Sequence, residues 1–153
     1  MVRFRFLNFE LFLIFDCVSA FIIPIISYIY ALPPKMIDET PDSGPLALVM
    51  APTRELAIQI EKEAIKLCKY TSVGESVPHP ITTVCIVGGQ DIDAQSKTLA
   101  NGVEVVIGTP GRIMDCLERR YLVLNQCNYV VLDVSVRCLY LIVNDIYYRK
   151  PIG

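Results

Sequence analysis

The chain carries little charge, almost no histidine and no paired-cysteine motif, and each shortage closes off a class of function. Charged residues make up 20% of its 153 positions, and 14 basic against 16 acidic side chains leave a net charge of −2. That balance excludes a globally basic nucleic-acid coat, so any nucleic-acid site must be a local one. The single histidine, His79, sits between Pro78 and Pro80, which suits an exposed loop better than a general base or a metal ligand. The six cysteines, at 17, 68, 85, 116, 127 and 138, include no C-x-x-C pair and fall mostly inside apolar runs. They read as small buried hydrophobes in a reducing compartment. With only 8 Gly and 10 Pro against 53% hydrophobic residues, disorder and collagen-like repeats are excluded too. No internal repeat or low-complexity tract breaks the chain.

Apolar sequence is plentiful but unevenly spread. All six Phe fall within the first 21 residues, which suggests two unlike pieces joined near residue 19. Residues 11–32 contain one charge, Asp16, and one proline, Pro24, and follow Arg3 and Arg5. A cleaved signal is disfavoured, because the apolar stretch is too long and no small-x-small site precedes Leu32-Pro33-Pro34. Two readings remain at this point: a membrane span, for which Asp16 is costly, and a helix buried inside an α/β domain.

From Leu46 to Asp133 short β-rich runs alternate with amphipathic stretches. Strands are predicted at residues 46–50, 82–87, 103–107 and 129–132, the first being an unbroken apolar run of the kind that a parallel sheet buries on both faces. Thr53 can cap a helix whose apolar face is Ala57, Ile60, Ala64 and Leu67. A short helix is predicted over Ile92–Ala100, and Thr109-Pro110 opens another with proline at its favoured first position. Strands alternating with helices imply an α/β fold, a parallel sheet with right-handed crossovers, whose ligands gather at the carboxyl ends of the strands.

The unusual residues lie at those strand ends. After the first strand comes Pro52-Thr53-Arg54-Glu55-Leu56-Ala57, after the second Gly88-Gly89-Gln90, after the third Thr109-Pro110-Gly111-Arg112, and after the fourth Asp133. Exposed amides at helix starts, paired with arginine, suit a run of phosphates. Any one of these motifs alone is an ordinary turn or helix start; four in order are not. The series resembles the first RecA-like domain of the DEAD-box RNA helicases, a partial P-loop NTPase-type sheet flanked by helices. Thr53, Arg54 and Glu55 match that family's motif Ia, Gly88 and Gly89 its GG motif, and Thr109, Gly111 and Arg112 its motif Ib. The resemblance implies that these elements grip the RNA sugar-phosphate backbone without reading bases. Around the motifs, Gly44-Pro45-Leu46-Ala47 and Glu118-Arg119-Arg120-Tyr121-Leu122-Val123-Leu124 resemble the spliceosomal branch of the family that acts at the 5′ splice site. RNA and spliceosomal proteins as partners, and a nuclear location, follow from that likeness. Residues 19–29 resemble the family's buried helix that follows the ATP-binding loop, which favours the buried helix over the membrane span.

The resemblance covers residues 19–133 and stops on both sides. A GxGKT loop for the ATP phosphates is expected before Ser19, where the chain reads Leu13-Ile14-Phe15-Asp16-Cys17-Val18; the upstream glutamine motif is missing as well. Asp-Glu-Ala-Asp is expected after Leu132, where it reads Asp133-Val134-Ser135-Val136. Asp133 keeps the position of the magnesium-associated carboxylate, a remnant able to hold Mg²⁺ only weakly through water. Val134 cannot accept a proton. The family uses ATP and Mg²⁺, but this chain alone is expected to be inactive. Segments 1–18 and 134–153 are expected to be divergent, as in a fragment or a gene model with translated noncoding flanks. The strand before the ATP loop is expected to be absent or badly replaced by the Phe-rich start, leaving an unpaired edge and poor soluble expression. Three functions follow: a helicase piece that keeps its RNA edge, a nucleotide-independent interaction module, and a membrane-anchored protein.

Overall fold

The computed structural model describes the backbone of residues 3–6, 14–33, 43–69 and 81–132, and the side chains of these from Val18 onward. The strands are β1 (Arg3–Phe6), β2 (Ala47–Met50), β3 (Thr83–Ile86), β4 (Val105–Gly108) and β5 (Tyr129–Leu132). They form one sheet in the order β1-β5-β2-β4-β3, every pairing parallel. The helices are α1 (Ile14–Tyr30), α2 (Arg54–Lys69), α3 (Ile92–Ala100) and α4 (Pro110–Glu118). The predicted α/β class, its four strands and their helices are present, with strand limits shifted by one or two residues.

Each interior strand is apolar throughout because it has two faces to bury. Ala47 and Val49 of β2, Val105 and Ile107 of β4, and Tyr129 and Val131 of β5 point to the face covered by α1 and α2. Their neighbours Leu48, Met50, Val106, Val130 and Leu132 point to the face covered by α3 and α4. The period of two along each strand divides one apolar run between two cores. At the sheet edge, β3 alternates instead, with Val84 and Ile86 buried and Thr83 and Cys85 half-covered.

The apolarity of α1 has the same origin. Val18, Phe21, Ile22, Ile25, Ile26 and Ile29 are buried in the α1–α2 core, and Tyr28 stacks at a tilt on Tyr129 with ring centroids 5.5 Å apart. Among the described residues no helix is long and apolar enough to cross a membrane. The membrane-span alternative for residues 11–32 therefore gives way, within the described part, to a helix laid on the sheet. In α2 the buried face is Ala57, Ile60, Ala64 and Cys68, so Cys68 takes the last buried position expected of Leu67.

The Phe-rich start corrects one expectation. Residues 3–6 form β1, in register with β5 from Arg3 beside Tyr129 to Phe6 beside Leu132. The far side of β5 is thus paired, not left as an open edge.

A candidate RNA-backbone interface at the carboxyl edge of the sheet

Because all five strands run the same way, the connections that leave β2, β3 and β4 emerge on one edge. Backbone hydrogen bonds hold these exits together: Ala51 N–H donates to Gly108 O (2.9 Å) and Thr109 N–H to Ile86 O (3.2 Å). Gly108 is required there, since a Cβ on it would run into the carbonyl oxygen of Ile86 and lie 2.8 Å from that residue's Cγ1.

After β2 the chain turns through Ala51, Pro52 and Thr53 into α2. Thr53 Oγ1 accepts the Leu56 N–H at 3.3 Å, the predicted cap. The next residue, Arg54, is exposed, and its guanidinium lies over Gly89. Gly89 has φ +78°, a left-handed backbone that disfavours side chains, and a Cβ there would collide with Arg54 Nη1. Gly88 faces open space instead. Beyond the turn, Asp91 caps α3 by accepting the Asp93 N–H at 3.1 Å.

After β4, Thr109 takes the cap position of α4 in an extended conformation, with Pro110 first in the helix. Proline has no N–H to leave unpaired, so the amides offered by this helix start belong to Gly111 and Arg112. Gly111 is exposed, with nothing near its missing Cβ. Arg112 is half-buried and already engaged: Nε donates to Gln95 Oε1 at 2.9 Å, and Nη2 donates to the carbonyl of Gln90. Gln95 is 6% exposed and donates in turn to Val87 O (3.2 Å) and Gln90 Oε1 (2.8 Å).

The residues singled out in sequence therefore converge. Arg54 and Arg112 flank the same Gly88-Gly89-Gln90 turn from different helices, with Thr53, Thr109 and Gly111 at the two helix starts. Asp133 lies outside the described residues. Gln95 was missed. Its signal is a polar residue three after Ile92 and four before Leu99, on the inward face of a short helix, where an apolar residue is expected.

Among the described residues, nothing comparable stands at the expected ATP loop. Residues 14–18 are the first part of α1, with no glycine and no lysine. From Val18 onward the amides are committed to bonds within the helix. A helical, bulky stretch of this kind does not fit the phosphates of ATP, which need a loop of converging amides and a cation.

Among the described residues, Cys68, Cys85, Cys116 and Cys127 are free and unreactive by environment. Burial pushes the Cys68 thiol up to about 11, with Glu104 adding to it, and Cys85 up to about 12, with Glu61 adding to it. Cys127, enclosed in the second core, is pushed up to about 12, and burial raises Cys116 as well. None of these four resembles a nucleophile.

Comparison with known proteins agrees with this geometry. The DEAD/DEAH box helicase family matches residues 19–134. DEAD-box ATP-dependent RNA helicase 21 of Oryza sativa subsp. japonica is 54% identical over 121 residues, covering 79% of this chain and 15% of that protein. The pre-mRNA-splicing ATP-dependent RNA helicase prp28 of Sclerotinia sclerotiorum is 46% identical over 121 residues, 79% of this chain and 14% of that protein. Among solved structures, the yeast DEAD-box splicing factor Prp28 superposes with a TM-score of 0.70 at 32% identity, over 85% of this chain and 30% of that one. A DEAD box protein from Methanococcus jannaschii gives 0.58 at 31% identity, over 86% and 31%. The chain spans about one-seventh of the length of these curated relatives. With its parallel sheet, its RecA-like neighbours and its ordered motifs, the chain belongs to the DEAD/DEAH box helicase family.

Proposed function

We propose that the chain is a piece of a DEAD-box RNA helicase that holds single-stranded RNA by its backbone, independently of nucleotide. The observation that carries this reading is the pair of arginines on one glycine turn: Arg54 lies over Gly89, and Arg112 is bonded to Gln90 O. Guanidinium groups and exposed amides recognise phosphate oxygens, and contacts of that kind position a nucleic acid without reading its sequence. Thr53 and Thr109 set the two helix starts, while Gly88 and Gly111 leave room for a sugar-phosphate chain to approach. The helical conformation of residues 14–18 favours binding without ATP over turnover. Similarity to splicing helicases supports a spliceosomal setting, with spliceosomal proteins as partners and the nucleus as its place.

The test is fluorescence anisotropy with labelled oligouridine, oligocytidine and oligoadenine across a salt series. Binding is expected to be weak and equal for all three. Few phosphates are neutralised, so the salt slope should be shallow, and Arg54→Ala should lower it by about one. A strong base preference, or indifference to Arg54→Ala, would contradict the backbone grip.

A further inference from the structure

We propose that Gln95 is a positioning residue for the RNA edge, locking Arg112 and the glycine turn into one unit. The inference rests on the RNA-backbone reading above and adds a residue that no motif includes. Gln95 is buried, so it cannot itself meet a phosphate. Both ends of its amide are instead engaged: Oε1 accepts from Arg112 Nε, and Nε2 donates to Val87 O and to Gln90 Oε1. Arg112 closes the ring by donating to Gln90 O. The two connections that leave β3 and β4 are thereby joined through α3: Val87 and Gln90 of the first, and Arg112 in the first turn of α4 of the second.

The physical reason for such a device lies in the turn itself. Gly88 and Gly89 have the largest backbone freedom in the set, and an untethered glycine pair loses much entropy when it is held for a ligand. Hydrogen bonds from Arg112 and Gln95 to the residues on either side, Val87 and Gln90, restrict that freedom before RNA arrives. Arg112 contributes as a rigid fork. Two of its N–H groups hold protein acceptors in fixed directions, which a lysine ammonium on a flexible stem cannot reproduce. The remaining guanidinium donors stay available for phosphate.

The experiment uses the whole chain and four proteins: unaltered, Gln95→Met, Arg112→Lys, and the double variant. Methionine matches the length of glutamine and removes only its amide; lysine keeps the charge of Arg112 and removes its fork. Two quantities are read, affinity for labelled oligouridine and the amide exchange rate of Gly89. Each single variant should weaken RNA binding about fivefold, and the double should be no worse than either, because one unit is broken only once. Gly89 exchange should accelerate in both singles, and a thermal melt confirms that each variant remains folded. An additive double loss, or full affinity retained by Gln95→Met, overturns the positioning role. Unchanged Gly89 exchange in both singles overturns the lock itself. If the unaltered chain binds no RNA while Gly89 exchange responds as expected, the RNA reading fails, and the role assigned to the lock fails with it, though the lock stands.

Discussion

Two stretches of this chain follow parallel strands into helices, and they do opposite things. The passage from β2 to α2 is three residues long, ends in a threonine cap and delivers Arg54 onto the neighbouring glycine turn. The passage from β1 leads to α1, which is already helical at Ile14 and has isoleucine and phenylalanine where a phosphate loop needs glycine and lysine. The first carries the threonine cap, glycine turn and arginine that we propose grip an RNA backbone; α1, from Val18 onward, presents apolar side chains that pack into the first core. A sheet can thus keep its architecture on both sides while the polar chemistry survives on one. Packing asks for apolar volume, which many sequences supply, whereas a phosphate site asks for particular residues in particular conformations.

The sharpest way to break this contrast is to look for ATP turnover. Phosphoryl transfer depends on holding the phosphates, the metal and the attacking water in one arrangement. The chain is expected to release phosphate at least about 10³-fold more slowly than an intact relative, with or without RNA. Val134→Glu with Val136→Asp should restore nothing, since two carboxylates do not replace a missing cradle. Turnover stimulated by RNA, surviving removal of contaminating ATPases, would show that the helical start of α1 is no obstacle.

A second test lies inside the retained edge, between its two adjacent glycines. Gly89→Ala forces a side chain into a left-handed backbone and against Arg54, and should cost about 1–2 kcal/mol in a denaturant titration. Gly88→Ala meets no neighbour and should change stability by less than about 0.5 kcal/mol. RNA affinity should nonetheless fall in both. If Gly88→Ala binds as tightly as the unaltered chain, the RNA backbone does not pass over that residue.

The packing side of the comparison is tested through its thiols. Cys68, Cys85 and Cys127 ionise in the folded chain near 11 to 12, against an ordinary value of 9.0, because burial disfavours the thiolate. Raised folded values mean that their contribution is complete below pH 9 and is lost as the pH climbs toward 12, where unfolded thiols shed protons first. The denaturation midpoint should therefore decline above pH 9, less steeply in a Cys85→Ala, Cys127→Ala variant. At pH 8, peptide-resolved alkylation of these thiols should run at least about tenfold slower in the native chain than in urea. Rapid native labelling of Cys127 would mean that the second core opens readily.

How far the sequence revealed all this differs between the same two regions. The interior strands were legible because an unbroken run such as Leu46-Ala47-Leu48-Val49-Met50 fits little other than a doubly covered strand. The edge residues were legible because turn and cap chemistry is local: Thr53, Gly89 and Pro110 act within a few residues of themselves. β1 was not, since Arg3-Phe4-Arg5-Phe6 becomes a strand only through pairing with β5, more than a hundred residues away. Gln95 escaped for a similar reason. Its acceptor role toward Arg112 spans 17 residues, and no pattern within α3 announces it beyond a polar residue on the inner face.

The smallest expected effect asks whether α2 serves only the site or also the sheet. Glu61 projects from the middle of α2 toward β3, the strand at one end of the sheet among the described residues, and its carboxylate accepts the backbone N–H of Cys85. Burial raises its pKa above the ordinary 4.5, and the Cys85 N–H opposes that rise only in part. A raised folded value means that the contribution of Glu61 is complete below about pH 4.5 and is lost as the pH rises through the folded value, so at neutral pH the charge is a burden. Glu61→Gln keeps an oxygen for the Cys85 N–H and removes the charge. With the group half-exposed, solvent screens most of the effect, and the melting temperature at pH 7 should rise by about 1 °C. At pH 4 the two proteins should melt together. A fall at pH 7 would mean that the ionised carboxylate bonds Cys85 strongly enough to outweigh its burial, and that α2 holds β3 by a charged hydrogen bond as well as by packing.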